Sequence, residues 1–198
     1  MRMRTWAAAA AVAAAMAPAA ARAEYERYAI DPAHFSIGFL TEHLGYEKVL
    51  GMFLDASGSF EYDPEGPAVR AIEIEVQAAS VFTGHDARDG HLRSPDFLSA
   101  EAHPTIRFVG THAEQTGENT GIVHGDLTIR GETRPVSFTV TLNKSEEYPF
   151  GAGPPFVLGV SVRGTVRRSD FGSTYGVANG WVGDEIELIV EFEAIRQD

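Results

Sequence analysis

The sequence has no cysteine, few basic residues and no long apolar stretch beyond its first residues. The absence of cysteine excludes a disulfide framework, so stability must come from a hydrophobic core and a hydrogen-bonded sheet. Only 16 Lys and Arg residues stand against 28 Asp and Glu residues, giving a net charge of −12. Nucleic acids and anionic membranes require a basic surface, so neither is expected as a partner. Stable membrane insertion is not expected either, because a spanning helix needs about 20 apolar residues.

The first residues have the pattern of an export signal. Arg2 and Arg4 precede an alanine-rich run over residues 7–17, and the motif Ala-Arg-Ala at residues 21–23 matches a cleavage site. We therefore predict that residues 1–23 are a secretory signal peptide, cleaved after Ala23, and that residues 24–198 form one domain. Cleavage removes Arg2, Arg4 and Arg22 and no acidic residue, which changes the net charge from −12 to −15.

The segment from residue 121 to 140 is the clearest structural signal. Two runs of alternating apolar and polar residues flank a short connection that contains Gly131. This pattern is typical of a long antiparallel hairpin. Val123 and Leu127 on one run, and Val136 and Phe138 on the other, are predicted to share a face when the runs pair.

Further alternating segments predict an all-β protein. The candidate strands cover residues 25–30, 36–41, 52–62, 72–76, 105–111, 156–166 and 186–192. Residues 86–98 lack alternation and are predicted to be partly helical. Several strands are long, and small residues such as Ala56, Gly58 and Gly125 are expected to leave room inside. The sequence thus predicts an extended antiparallel lipocalin-like β-barrel of about eight strands with a short helical insertion, and this barrel could hold one slender ligand.

Six short segments in this order also carry a family resemblance: DPAHFS at 31–36, TEHLG at 41–45, ASVFTG at 79–84, DGHLRSPDF at 89–97, GDLTIRG at 125–131 and RSDFG at 168–172. Together they resemble the YceI-like family of periplasmic proteins. The resemblance covers nearly the whole chain after the signal peptide. It implies a periplasmic barrel with an apolar channel for a polyisoprenoid lipid, of the isoprenoid quinone or polyprenyl phosphate type. Ser173 departs from the larger apolar residue usual in the family.

The protein is therefore expected to bind or carry a lipid and not to be an enzyme. His43 is a candidate for hydrogen bonding to a ligand head group at the channel mouth. Arg168 and Asp170 are expected to form an ion pair or to bind backbone groups. The residues predicted to line the channel are Phe39, His43, Phe60, Ile72, Ile74, Val76, Phe97, Phe108, Leu127, Val136, Phe138, Phe171 and Trp181.

Several alternatives stay open at this stage. The same barrel could carry a fatty acid or fatty amide. Its seven histidines could converge on a metal that activates water, as in a hydrolase, although none lies in a motif such as H-E-x-x-H and no metal site is predicted. A barrel filled by its own side chains would serve a structural role. A homodimer is compatible with the sequence, and no catalytic cofactor is expected.

Overall fold

The computed structural model describes residues 24–66 and 68–197. The predicted signal peptide at residues 1–23 lies outside the described residues. Ten strands and one α-helix follow in chain order: β1 (Glu26–His43), β2 (Glu47–Phe53), β3 (Ala56–Asp63), β4 (Ala68–Gln77), β5 (Val81–Phe82), α1 (Asp86–Arg93), β6 (Thr105–Gln115), β7 (Thr120–Ile129), β8 (Glu132–Glu147), β9 (Phe156–Arg167) and β10 (Val182–Gln197). Within these ranges, no helix has both the length and the apolar character needed to cross a membrane.

Eight strands close into an antiparallel barrel. The sheet runs β10-β9-β8-β7-β6-β4-β3-β1, and β1 also pairs with β10 from Arg27 opposite Gln197 to His43 opposite Val182. This last pairing closes the barrel and leaves it without a free edge there. The short strands β2 and β5 extend the sheet beside β1. The predicted fold class is confirmed.

The predicted hairpin over residues 121–140 is also confirmed. Val123 pairs with Phe138 and Gly125 with Val136, and the strands meet at Ile129 and Glu132. Both residues of the connection, Arg130 and Gly131, have positive φ angles of 54° and 77°. A two-residue turn with two positive φ angles matches the twist of the strands that it joins.

One predicted strand is wrong in extent. Residues 52–62 were expected as a single strand, but the structure breaks them into β2 and β3 at Leu54 and Asp55. Both pieces lie beside β1, which has its own irregularity between Ile30 and Phe35. One long strand and two short strands that pair with the same bulged strand show the same side-chain alternation. The sequence pattern alone therefore does not locate the break.

The barrel has two distinct ends. At what we call the helix end, β1 finishes and β10 begins, and residues 78–104, which include α1, together with residues 168–181 lie over the strands. At the opposite end, which we call the hairpin end, lie the connections β3–β4, β6–β7 and β8–β9 and both chain termini of the barrel. The outer face carries cross-strand ion pairs such as Arg107 with Glu73 at 3.3 Å, which accounts for the polar half of the alternation.

Candidate functional site

The barrel interior is hollow. It encloses a cavity of about 450 Å³ whose wall is formed mainly by aliphatic and aromatic side chains from all eight barrel strands. The wall runs from Phe97 and Arg168 at the helix end to the β6–β7 connection at the hairpin end. Two clusters of buried residues pack around it, one including Tyr28 and Leu158 and the other including Phe138 and Phe171. A barrel filled by its own side chains therefore does not describe this molecule.

Ten of the thirteen residues predicted to line a channel lie on the wall of this cavity: Phe39, Phe60, Ile72, Ile74, Val76, Phe97, Phe108, Leu127, Phe138 and Phe171. Their contact with a ligand stays a prediction. The wall also contains residues that were not among those predicted to line the channel, including Ile37, Val140, Val162 and Leu188. The signal for these four was the same alternation that identified their neighbours, since each shares a face with a predicted residue.

The other three predicted residues lie elsewhere. Val136 packs against the cluster around Phe138 and is not part of the cavity wall. His43 and Trp181 line a second recess of about 420 Å³ at the helix end, and this recess shares Thr41 and Phe97 with the cavity. A register shift between Thr41 and His43 interrupts the alternation of β1. His43 therefore does not continue the inward face on which Thr41 lies.

Glycine does not create the internal space, contrary to the expectation. A Cβ atom on Gly125 would lie 2.5 Å from the Phe108 ring and 2.5 Å from the carbonyl oxygen of Val109. A Cβ atom on Gly58 would lie 2.5 Å from Cδ1 of Ile74. Larger neighbours therefore occupy the space over both glycines, as aromatic residues often do over glycines in sheets. The cavity exists because the inward side chains of opposite strands do not meet.

Arg168 closes the helix end through backbone contacts. The side chain is buried, and its guanidinium donates hydrogen bonds to the carbonyl oxygens of Gly183 at 2.8 Å, Ser173 at 3.0 Å, Tyr175 at 2.8 Å and Val182 at 2.9 Å. Burial lowers the pKa of Arg168 from its ordinary value. Of the two predicted roles, the structure shows backbone binding and no ion pair between Arg168 and Asp170.

Phe97 also lies at this end. It is buried, and its ring centroid lies 4.9 Å from that of His91 and 5.3 Å from that of Tyr175. Arg130, in the β7–β8 turn, donates hydrogen bonds to the carbonyl oxygens of Pro95 at 2.7 Å and Phe97 at 2.6 Å. These hydrogen bonds hold the segment after α1 against the end of the barrel. The sequence analysis included Arg130 in a motif and predicted no role for it.

Thr41 is a polar exception on the apolar wall. It follows Ile37 and Phe39 on the inward face of β1 and lines both the cavity and the adjoining recess. Its Oγ1 atom is enclosed and has no hydrogen-bond partner among the described residues. Sequence reasoning missed Thr41, although its position two residues after Phe39 was a usable signal.

The hairpin end is open between two strands. Pairing between β4 and β6 covers Glu73–Gln77 and Thr105–Val109, although β4 begins at Ala68 and β6 continues to Gln115. Ala71, in the part of β4 that does not pair with β6, has a positive φ angle of 50°. Polar residues of the β6–β7 region, including Glu114 and Glu118, line the cavity here. The lining at this end is therefore polar.

One group of potential metal ligands occurs within residues 24–66 and 68–197. Asp31, His34 and Glu193 have ligand atoms within 4.8 Å of one another on the outside of the barrel. His34 Nδ1 lies 2.7 Å from Asp31 Oδ2, and this hydrogen bond raises the pKa of His34 and lowers that of Asp31. His34 Nδ1 also lies 3.6 Å from Glu193 Oε2, so the contacts of one imidazole with two carboxylates account for this geometry. A hydrolase would need several converging histidines, and this group contains one.

The stacked rings of His112 and His124 are a second histidine feature. Their centroids are 4.2 Å apart on the outer face of β6 and β7. His124 contacts Ser137 Oγ through Nδ1 at 2.7 Å and Glu114 Oε1 through Nε2 at 3.2 Å. These contacts hold the rings on the outside of the sheet, away from the cavity.

Comparison with known proteins gives consistent matches. The model of the YceI-like domain matches residues 28–194. A UPF0312 protein of Pseudomonas savastanoi pv. phaseolicola is 34% identical over 172 residues, covering 86% of each chain. The crystal structure of BcnA from Burkholderia cenocepacia is similar with a TM-score of 0.72 and 22% identity, covering 83% of this chain and 98% of that one. A polyisoprenoid binding domain from Saccharophagus degradans, implicated in plant cell wall breakdown, has a TM-score of 0.63 at 10% identity, covering 88% of this chain and 100% of that one.

Proposed function

The chain belongs to the YceI-like family, and from this membership and its apolar cavity we propose that the protein binds a polyisoprenoid lipid inside the barrel. The observation that carries the proposal is the cavity itself, a space of about 450 Å³ whose mainly apolar wall runs from one end of the barrel to the other. Such a wall binds a slender hydrocarbon chain by removing its surface from water, at roughly 25 cal/mol per Å² of apolar area. The polyisoprenoid binding domain from Saccharophagus degradans shares the fold, and its ligand supports a polyisoprenoid here as well.

Binding without catalysis is part of the proposal. A carrier needs a space that shields the isoprenoid chain and lets it leave, and it needs no reacting group beside the chain. The isoprenoid would be held as cargo in transit or in storage. A fatty acid or fatty amide is the competing cargo, since it would fit the same wall with less selectivity for chain length.

We also propose that the protein works in the periplasm. The supporting observation is the sequence of residues 1–23, with its basic start, alanine-rich run and Ala-Arg-Ala motif. Cell fractionation followed by N-terminal sequencing tests this location. Processing after Ala23 predicts a periplasmic protein that begins at Glu24, and a cytoplasmic protein that retains Met1 would contradict it.

The test of binding compares two tryptophan substitutions on neighbouring residues of β8. Val140 lies on the cavity wall, whereas Thr139 is exposed on the outer face. We expect Val140→Trp to reduce the uptake of an isoprenoid quinone at least tenfold, because the indole occupies the cavity. Thr139→Trp is the matched control and should bind like the unaltered protein. Equal binding by both variants would contradict a ligand site inside the barrel.

The competing cargo is tested in the same assay. A fatty acid of comparable length is added to the protein loaded with isoprenoid quinone. Failure to displace the quinone supports the isoprenoid, because its branched chain contacts more of the wall. Displacement at equal concentration would favour the fatty acid carrier.

A further inference from the structure

We propose that the helix end of the cavity is a head-group site for an isoprenoid whose head is uncharged and carries acceptor oxygens, as a quinone does. The inference rests on the proposed function and adds to it the class and the orientation of the ligand. The head lies at the helix end beside Thr41, and the isoprenoid tail extends toward the hairpin end. A polyprenyl phosphate is disfavoured.

The hydroxyl of Thr41 is the first observation. Its Oγ1 atom is enclosed and finds no partner in the part of the chain that the structure describes. An enclosed hydroxyl without a hydrogen bond is unfavourable, because it has lost its hydrogen bonds to water and has formed none with the protein. Since Thr41 lines both the cavity and the recess beside it, a ligand oxygen at this level would accept the missing hydrogen bond.

The buried guanidinium of Arg168 is the second observation. It reaches the carbonyl oxygen of Gly183, and a Cβ atom on Gly183 would lie 3.2 Å from the backbone nitrogen of Glu42, the residue after Thr41. The positive charge and the free hydroxyl therefore belong to the same end of the cavity. Among the described residues, no carboxylate lies within ion-pair distance of Arg168.

The hydrogen bonds of Arg168 limit what this end can bind. A guanidinium has five N–H groups, and backbone carbonyls accept four hydrogen bonds from Arg168. One N–H group of Nη1 is left, and the hydroxyl of Thr41 adds a second donor. A phosphate head carries charge on several oxygens and needs several strong donors when it leaves water. Two donors suit a neutral carbonyl oxygen.

The opposite end excludes a phosphate for another reason. Glu114 and Glu118 are part of the cavity lining at the hairpin end, and Arg168 is the basic residue in the lining as far as the chain is described. A phosphate placed at the hairpin end would leave water without a basic side chain in the lining there to pair with. The apolar wall between the two ends suits the tail, so the hydrogen-bond donors at the helix end determine the orientation.

The experiment uses three ligands with the same isoprenoid length: a quinone, a monophosphate and a hydrocarbon without a head group. Trp181 reports the position of the head, because it is the sole tryptophan of residues 24–198 and lines the recess that Thr41 shares. A quinone ring next to an indole quenches its fluorescence. We expect saturable quenching of Trp181 by the quinone at one ligand per chain, and tighter binding of the quinone than of the phosphate.

Two substitutions test Thr41 directly. Thr41→Val keeps the β-branched shape and removes the hydroxyl, so we expect quinone binding to weaken about fivefold to tenfold, the usual effect of losing one hydrogen bond. Thr41→Ser keeps the hydroxyl and should bind the quinone within about twofold of the unaltered protein. The hydrocarbon should bind all three proteins equally, which separates the hydrogen bond from a change in the wall. Thr41→Val should not lower the melting temperature of the empty protein, because the hydroxyl has no partner to lose.

Three results would overturn the inference while leaving the proposed function intact. They are unchanged quinone binding by Thr41→Val, tighter binding of the phosphate than of the quinone, and quinone binding that leaves Trp181 fluorescence unaltered. Failure of all three ligands to bind, the hydrocarbon included, would instead overturn the proposed function.

Discussion

Replacing Arg168 by methionine should release the segment that closes the helix end of the barrel. The side chain of Arg168 leaves the end of β9 and donates to carbonyl oxygens at Ser173, Tyr175, Val182 and Gly183. It thereby ties both ends of the connection between β9 and β10 to one buried group. Methionine has a comparable length and fills part of the volume, but it donates nothing to these carbonyls.

The magnitude follows from the number and type of the contacts. A hydrogen bond from a charged donor contributes about 1.5–3 kcal/mol, and removing one member of a buried charged network costs about 3–5 kcal/mol. The four carbonyls will regain part of their hydrogen bonding from water, so the loss is well below the sum of four bonds. We expect Arg168→Met to lower the free energy of unfolding by about 4 kcal/mol. With a urea m-value of about 2 kcal/mol/M, the unfolding midpoint falls by about 2 M.

The assay is urea unfolding followed by circular dichroism, with Arg167→Met as the matched control. Arg167 is the preceding residue, is exposed and lies 3.6 Å from Glu185 in a surface ion pair. Such pairs contribute about 0–1 kcal/mol, so the control midpoint should move by less than about 0.5 M. If Arg168→Met shifted the midpoint no further than Arg167→Met, the reasoning that backbone binding by Arg168 holds the helix end would be refuted.

Two further predictions concern packing and pH. Gly125→Ala should destabilise the protein by about 1–3 kcal/mol in the same unfolding assay, because the added Cβ meets backbone as well as a ring. Gly159→Ala is the control and should cost less than about 1 kcal/mol, because the nearest atom to its added Cβ would be 3.8 Å away. Similar costs for both variants would contradict the filled space over Gly125. The hydrogen bond that His34 donates to Asp31 raises the pKa of His34. The contribution of this hydrogen bond to stability is therefore complete below the ordinary histidine pKa of about 6.5 and is lost as pH rises through the raised value. An NMR titration should place the His34 midpoint above that of Asp31→Asn, and equal midpoints would contradict the pairing.

Much of the barrel could be predicted because its strands obey a single rule. The last two strands alternate without interruption, and their inward residues, such as Val162 and Leu188, lie on the cavity wall. The same rule failed where a strand is irregular. His43 follows a register shift in β1, and Leu54 lies in a break that its flanking residues do not signal. Alternation reports the face of a residue and not the register of its neighbour.

The closure of the helix end was harder to predict for a different reason. Sequence reasoning assigned Arg168 either an ion pair or backbone contacts. Only the fold brings two carbonyls of the following loop and two at the start of β10 to its guanidinium. Thr41 was missed because a threonine at an inward position is usually satisfied by a nearby carbonyl. Its isolation depends on the surrounding wall, which the order of residues along β1 does not describe.

The most direct test of a lipid inside the barrel is to identify what the protein carries. The protein is purified from its native host without detergent and extracted with organic solvent, and the extract is analysed by mass spectrometry. The account predicts an isoprenoid at close to one molecule per chain, with an uncharged quinone type of head. A lipid-free protein that also takes up no added isoprenoid would contradict it.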